Sequence, residues 1–398
     1  MRNWAPNSLT LGDAMKSSPN RREFLQGLGI AAAGLYLAPA SLMAKVAPTA
    51  PVAIARCPAY GPGVATALAA MFDQLGGLPR LVKGKTVAIK LNVTGSATDR
   101  LHGLPPGNTF WVHPEVVGAT VQLLEKAGAR RVRLLESPTV SKVRTLEEFL
   151  SQAGWPVADL RAAGANVEFE NTNFAGPSNQ YTRLWVPGGG RLFKAYDVNR
   201  SYMDCDVFIS LAKLKEHSTS GITGAMKNLF GVPPTNIYGE GVGLDEPSKT
   251  QCEARAMLHN GKRQPPKSSL PENDPHSPRS PGYRVPRVTV DLAAARPIHL
   301  SIIDGIETVT TGEGPWVEHM RTVRPGVLLA GTNCVTTDAV ATALMGFDPM
   351  AERGTAPFEN CDSTLRLAEE AGLGTRNLKQ IEVLGVPIEK VKVNFRKV

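Results

Sequence analysis

The sequence predicts an α/β protein: an open, mostly parallel sheet with helices on both faces, interrupted by a proline-rich insertion. Short β-branched runs alternate with segments of helical periodicity. The first complete run–helix–run unit implies parallel strands joined by a crossover. One segment, Val232 to Pro286, breaks the alternation with prolines from Pro233 to Pro281.

Taken in order, "NRREFLQ" at Asn20–Gln26 is followed by the apolar "GLGIAAAGLYLA" and then by "APA" at Ala38–Ala40. A basic pair, a short apolar run and a small-x-small site make a signal peptide over 1–40, cleaved after Ala40 or Ala44. Arg21 and Arg22 with Phe24 and Leu25 resemble the twin-arginine form, which a receptor reads. The twin-arginine export machinery is therefore an expected partner, and an exported, periplasmic location is expected. The apolar run is too short for a comfortable membrane span, so no stable span is expected after cleavage. Residues 41–84 read as a leader segment with one helix near Gly63–Leu75.

The α/β domain is expected over 85–398. "KTVAIKLNV" from Lys85 reads as a strand, "HPEVVGATVQLLEKAG" from His113 as a helix opened by Pro114, and "RRVRLLES" as the next strand. "DVFISLAK" from Asp206, "PIHLSIIDG", "PGVLLAGT" and "IEVLG" read as further strands. "VTTDAVATALMG" reads as a helix capped near Thr336 or Thr337 and stopped at Gly346. Within the insertion at 232–286 only "KTQCEARAMLHN" looks helical. A loop of this length is a lid or is disordered, and its start directly after a lysine-rich stretch favours a lid.

The formal charge is +8 over 398 residues, with a net +2 in the first forty. The remaining excess favours small anions. No stretch interleaves basic and aromatic residues, so nucleic acid is not an expected partner. The five cysteines, Cys57, Cys205, Cys252, Cys334 and Cys361, show no C-x-x-C spacing, so no cysteine-ligated iron–sulfur cluster is expected. Twin-arginine passengers that fold before crossing often carry a cofactor, which remains unidentified here.

The chemistry concentrates in "LAKLKEHSTSGITGAMKNLFGVPP", Leu211–Pro234. If the chain stays extended past Leu211, Lys213, Lys215 and His217 face one side. Ligands of open parallel sheets bind beyond the carboxyl ends of the strands. "STSGITGAMKNLFG" would then start a helix capped by Ser218 or Ser220, with Thr223 and Lys227 on its polar face. Other strands also end in polar residues: Lys90 and Asn92, Glu136, and Asp304; Asp338 opens the later helix. These groups are expected to meet at one rim. Solvated surface lysines and non-catalytic ion pairs are the alternative reading of such residues, but the number of coincident strand ends favours a site. "TGEGPW", Thr311–Trp316, is a glycine loop of low specificity.

"VAIKLNV", "HPEVV", "LLEKAGARRVRLLES", "LAKLKEHSTSGITGAMKNLFG", "IDGIE" with "GEGP", and "AGTNCVTTDAVATALMGFDP" resemble, in order, the blocks of the bacterial family known as domain of unknown function 362. The resemblance runs from about Lys85 to Pro349. By the family pattern Lys90 and Asn92 match its first element, Lys213, His217, Lys227 and Asn228 its central one, and Asp304 and Asp338 its aspartates. Some relatives carry cysteine-rich ferredoxin-like segments, which this sequence lacks.

Two functions follow as expectations. In the first, an enzyme binds a small anionic substrate. His217, Lys227 and Lys213 are catalytic, Lys90, Asn92, Lys215, Thr223 and Asn228 bind substrate, and Glu136, Asp304 and Asp338 hold a divalent metal. A lysine of depressed pKa could instead attack a carbonyl. In the second, the same pocket belongs to a non-catalytic exported protein that binds a cofactor, metal or anion.

Overall fold

The structure is a computed structural model that describes residues 47–176 and 180–397. The signal-peptide reading of 1–40 lies outside these residues. Eight strands form the main sheet: β1 Val52–Arg56, β2 Thr86–Lys90, β3 Arg131–Glu136, β4 Val167–Asn171, β5 Val207–Lys213, β6 Leu300–Gly305, β7 Val327–Gly331 and β8 Val383–Gly385. Their order across the sheet is β8-β1-β7-β6-β5-β2-β3-β4. All neighbours are parallel except where β7 pairs with β1 and β6, so a single strand runs against the rest.

The central strands are apolar almost throughout because both their faces are covered. Side chains alternate between two cores: Ile302 enters one and Ile303 the other, as do Ile89 and Ala88. The first core holds helices α1 Gly63–Gln74 and α2 Pro114–Lys126. The opposite core holds α3 Gly224–Asn228, α4 Pro281–Ala295 and α5 Cys334–Leu344. Each fully buried aliphatic side chain in them contributes about 1.5–3 kcal/mol by its removal from water.

Three elements depart from the sequence reading. Val52–Arg56, placed in a leader segment, is a strand of the sheet, pairing Ile54 with Leu329 of β7 and Val52 with Val383 of β8. Its burial comes from partners far along the chain, at 327–331 and 383–385, which local pattern does not reveal. The helix expected from Ser218 is a short strand pair, Glu216–His217 with Gly221–Ile222, followed by the five-residue α3. The caps of that expected helix are replaced by a carboxylate from elsewhere: Asp338 accepts the Ala225 and Met226 N–H groups at 2.6 and 2.9 Å. Gly224 makes this approach feasible, since a β-carbon there would collide with the Asp338 carboxylate. Finally, α5 is capped by Asn333, whose Oδ1 accepts from Val335 and Thr336, and not by Thr336 or Thr337.

The insertion at 232–286 contains two helical turns, Thr235–Tyr238 and Ala256–His259, and the start of α4. Pro286 lies inside α4, where it cannot bond the carbonyl four residues earlier. That carbonyl, of Gly282, accepts the Asp362 N–H at 2.9 Å instead, so the helix continues.

The ends of β5 and β6 are locked by a buried ion pair. Lys213 Nζ lies 3.0 Å from Asp304 Oδ2, and both side chains are 0% exposed. The two are register partners on adjacent strands. Lys213 also donates to Tyr60 Oη and to the Gly107 carbonyl, while Asp304 accepts the His113 N–H. The pair therefore ties the sheet edge to the loop before α2. Asp304→Ala leaves a buried ammonium unpaired and should cost about 3–5 kcal/mol in urea unfolding. The double variant Lys213→Met/Asp304→Leu should recover most of that loss.

Candidate functional site

The carboxyl ends of β2, β3 and β5 open into a cavity of ≈ 470 Å³. Lys90 and Asn92 enter from the end of β2, Glu136 from β3, and Lys215 and His217 from the segment after β5. Thr223, Lys227 and Asn228 come from α3 and the residue before it. Arg255 and His259 come from the insertion, which forms one wall. Glu313 and Trp316 come from the glycine loop after β6.

The cations of this cavity differ in their partners. Lys90 Nζ is 2.6 Å from Glu136 Oε1, with both side chains almost fully buried. The second oxygen of Glu136 accepts the Val93 N–H at 3.1 Å. Arg255 donates to the carbonyls of Pro233, Ser137 and Gly231 and to the Ser137 hydroxyl. Lys215 donates to the carbonyls of Phe110 and Glu313 at 2.6 and 2.9 Å, and among the described residues pairs with no carboxylate. Lys227 has no hydrogen-bond or ion-pair partner among the described residues; its Nζ lies 4.2 Å from the Phe230 ring centroid.

Desolvation pushes the fully buried Lys215 and the half-buried Lys227 down to about 7, against the opposing pull of Glu313. Arg255 and Lys90 add to the depression of Lys227, and Lys227 and Lys213 to that of Lys215. Glu313 moves the other way. Burial would raise it, but His217, the Ser218 N–H, the Trp316 indole and Lys227 together hold it at about 2. The Ser218 N–H and hydroxyl reach its two oxygens at 3.0 and 3.1 Å.

His217 is pushed well below its ordinary range, by burial first and then by Lys227 and Lys215. Its Nδ1 accepts the Thr219 N–H at 3.2 Å, which assigns the proton of the neutral ring to Nε2. His259 is lowered to about 4, by burial and by Lys227, and its Nδ1 lies 3.0 Å from the Arg255 carbonyl. Two further polar atoms, Asn92 Oδ1 and Thr223 Oγ1, are buried without a hydrogen-bond partner among the described residues. With Asp99 at the mouth, three carboxylates line the cavity against Lys90, Lys215, Lys227 and Arg255.

The structure thus brings together Lys90, Asn92, Glu136, Lys215, His217, Thr223, Lys227 and Asn228. It does not bring Lys213, Asp304 or Asp338 to the cavity lining. Lys213 and Asp304 are consumed by their own ion pair, with Lys213 also donating to Tyr60, while Lys215 lines the cavity. Asp338 is engaged as the cap of α3. The expected metal set of Glu136, Asp304 and Asp338 is therefore not assembled. Among the described residues, no three His, Cys, Asp or Glu side chains are grouped to hold a metal ion. Glu313, Arg255, His259 and Trp316 were not singled out by the sequence. "GEGP" carried a signal for the first, whereas Arg255 and His259 sit in an insertion without any site pattern.

Two lysines held near 7 in the fold, against 10.5 unperturbed, bind fewer protons than the unfolded chain between those values. Stability from these groups therefore rises with pH across that window. Lys227→Met should be more stable than the parent at pH 6, with the gap closing towards pH 10, in urea unfolding followed at several pH values. Parallel pH profiles would contradict the depressed ammonium.

Residues 87–343 match the family described as Domain of unknown function (DUF362). A thylakoid-associated protein of Synechocystis sp. is 26% identical over 353 residues, covering 87% of each chain. A protein from Thermotoga maritima of solved structure shares 15% identity at a TM-score of 0.33, over 67% of this chain and 54% of that one. The lactate racemase apoprotein from Thermoanaerobacterium thermosaccharolyticum shares 13% identity at a TM-score of 0.29, over 62% of this chain and 48% of that one. The chain spans about half the length of these two solved structures. The family match runs from β2 into α5 and includes every cavity residue named above, and the chain belongs to the DUF362 family.

Proposed function

We propose that the protein is an enzyme that binds a small anionic substrate in the cavity at the carboxyl edge of the sheet, with Lys227 as its reacting group. One observation carries the reading: Lys227 lines the cavity without an oxygen partner, beside Lys215, which pairs with no carboxylate. Lys227 is half-buried on the cavity lining, and a partly desolvated cation lacking an anion is unfavourable unless a ligand supplies one or the group sheds its proton. Both routes are open to an amine near neutrality. Thr223 Oγ1 and Asn92 Oδ1 add unmet hydrogen-bonding capacity to the same lining.

The proposed roles differ in one respect from those read in the sequence. His217 is too weak a base to exchange protons near pH 7, and serves as a neutral donor through Nε2. Lys227 has the proton affinity suited to acid–base work at that pH. A carrier that merely holds an anion would use the same cavity; the unpaired amine of Lys227 favours chemistry over storage. The twin-arginine signal read in residues 1–40 adds export to the proposal, with a periplasmic location. Metal involvement, if any, would need ligands other than Asp304 and Asp338.

Calorimetric titration with inorganic phosphate, acetate and oxalate tests the binding. Affinity should fall as pH rises through about 7, since the free lysines lose their charge there, and binding should take up protons. Lys227→Met should weaken binding by roughly tenfold or more while circular dichroism stays unchanged, the loss of a charge partner being worth over 1.4 kcal/mol. Absence of binding at pH 6 for all three anions, or equal affinity in Lys227→Met, would refute the reading.

A further inference from the structure

Resting on the anion-binding reading above, we infer that the cavity takes a small carbonyl compound bearing an acidic group, a 2-oxo acid in its simplest form, and that Lys227 forms an imine with its carbonyl carbon. An amine attacks a carbonyl only as the free base, so a lysine locked into an ion pair is unsuited. Four lysines cluster at this edge of the sheet. Lys90 is bound to Glu136 and the Leu91 carbonyl. Lys213 is bound to Asp304, Tyr60 and the Gly107 carbonyl. Lys215 commits two of its three N–H bonds to carbonyls. Among the described residues, Lys227 alone of the four has its nitrogen engaged by no oxygen; it lies over the Phe230 ring.

The surroundings keep that amine available. Arg255 and Lys90 disfavour its charge, as does partial desolvation, while Glu313 and the Phe230 ring face pull the other way. Lys215, His217 and His259 are the remaining titratable neighbours, and both histidines are neutral at pH 7. The acidic group of the ligand has its own partners. Thr223, one helical turn before Lys227, has a buried hydroxyl with no partner, and Lys215 has an N–H left over. Asn92 Oδ1 is a free acceptor for the hydroxyl formed on addition.

The step balances without an oxidant. The Lys227 nitrogen bonds to the carbonyl carbon, and the π pair moves to oxygen. One proton passes from nitrogen to that oxygen, giving a carbinolamine. A second proton, taken up from water, lets the hydroxyl leave as water while the nitrogen lone pair closes the C=N bond. One water is released and one proton taken up for each iminium formed.

The test is reductive trapping on the full chain. Purified protein is incubated with pyruvate, glyoxylate or acetaldehyde, treated with sodium borohydride, and analysed by intact mass and peptide mapping. With pyruvate, one adduct per chain is expected, equal to pyruvic acid less one oxygen atom, on the peptide containing Lys227. Trapping should reach half its maximum near pH 7, where an ordinary lysine would need about pH 10. Acetaldehyde, which lacks the acidic group, should trap at least tenfold less. Lys227→Arg should give no adduct. Thr223→Val, which retains the amine, should need a higher pyruvate concentration for the same yield. No adduct on Lys227 with either oxo acid, in protein that still binds phosphate, overturns the imine and leaves the anion site standing. Loss of phosphate binding as well overturns both. Adducts spread over exposed lysines and unchanged in Lys227→Arg also overturn the imine.

Discussion

A buried ammonium must meet oxygen or give up its proton, and this constraint organises the carboxyl edge of the sheet. Lys90, Lys213 and Lys215 are each about 1% exposed or less, and each is satisfied differently. Lys213 has a carboxylate, a phenol and a carbonyl. Lys90 has a carboxylate and a carbonyl. Lys215 has carbonyls only, which solvate a cation without neutralising it. Lys227 has an aromatic face. The sequence of decreasing anionic compensation runs from the sheet interior into the cavity, so the positive charge left unbalanced lies where a ligand can reach it.

The same edge fixes the lysines in place. α3 has five residues, well below the roughly 12–15 at which an isolated helix holds in water, so tertiary partners must sustain it. Asp338 holds its first turn. Asn228 holds its end, its Nδ2 donating to Ser210 Oγ of β5 at 3.0 Å and to the Lys90 carbonyl of β2 at 3.2 Å. Gly231 follows, where a β-carbon would sit 2.8 Å from Lys90 Nζ, so the chain passes close over the Lys90–Glu136 pair. Asp338 and Asn228, both of which look like ligand residues in the sequence, thus position the element that bears Lys227.

Much of this was legible from residue pattern. The placement of Lys90, Glu136 and Lys215 at or just past strand ends follows from periodicity and from the behaviour of open parallel sheets, and eight of the eleven expected site residues, Lys227 on α3 included, line one cavity. Illegible features share one cause, dependence on distant partners. Val52–Arg56 is a strand because β7 and β8 flank it. Lys213 departs from Lys215 because Tyr60 and Asp304 await it on the other side. α4 tolerates Pro286 because Asp362 takes the orphaned carbonyl. Arg255 reaches the cavity from an insertion whose prolines hide any periodicity. Glu313 was visible only as a loop glutamate; its weight comes from Ser218, Trp316 and His217, which meet it in space.

The charge state of Lys227, a half-buried amine without an oxygen partner among the described residues, separates a ligand site from a solvated surface. Its side-chain pKa can be measured directly by NMR titration of the lysine ε-carbon resonances, assigned by comparison with Lys227→Arg. A midpoint close to 7, moving upward when phosphate is added, is the expected result. A midpoint at the ordinary 10.5, unmoved by phosphate, would mean that the amine sits in water and that the cavity holds no unbalanced charge.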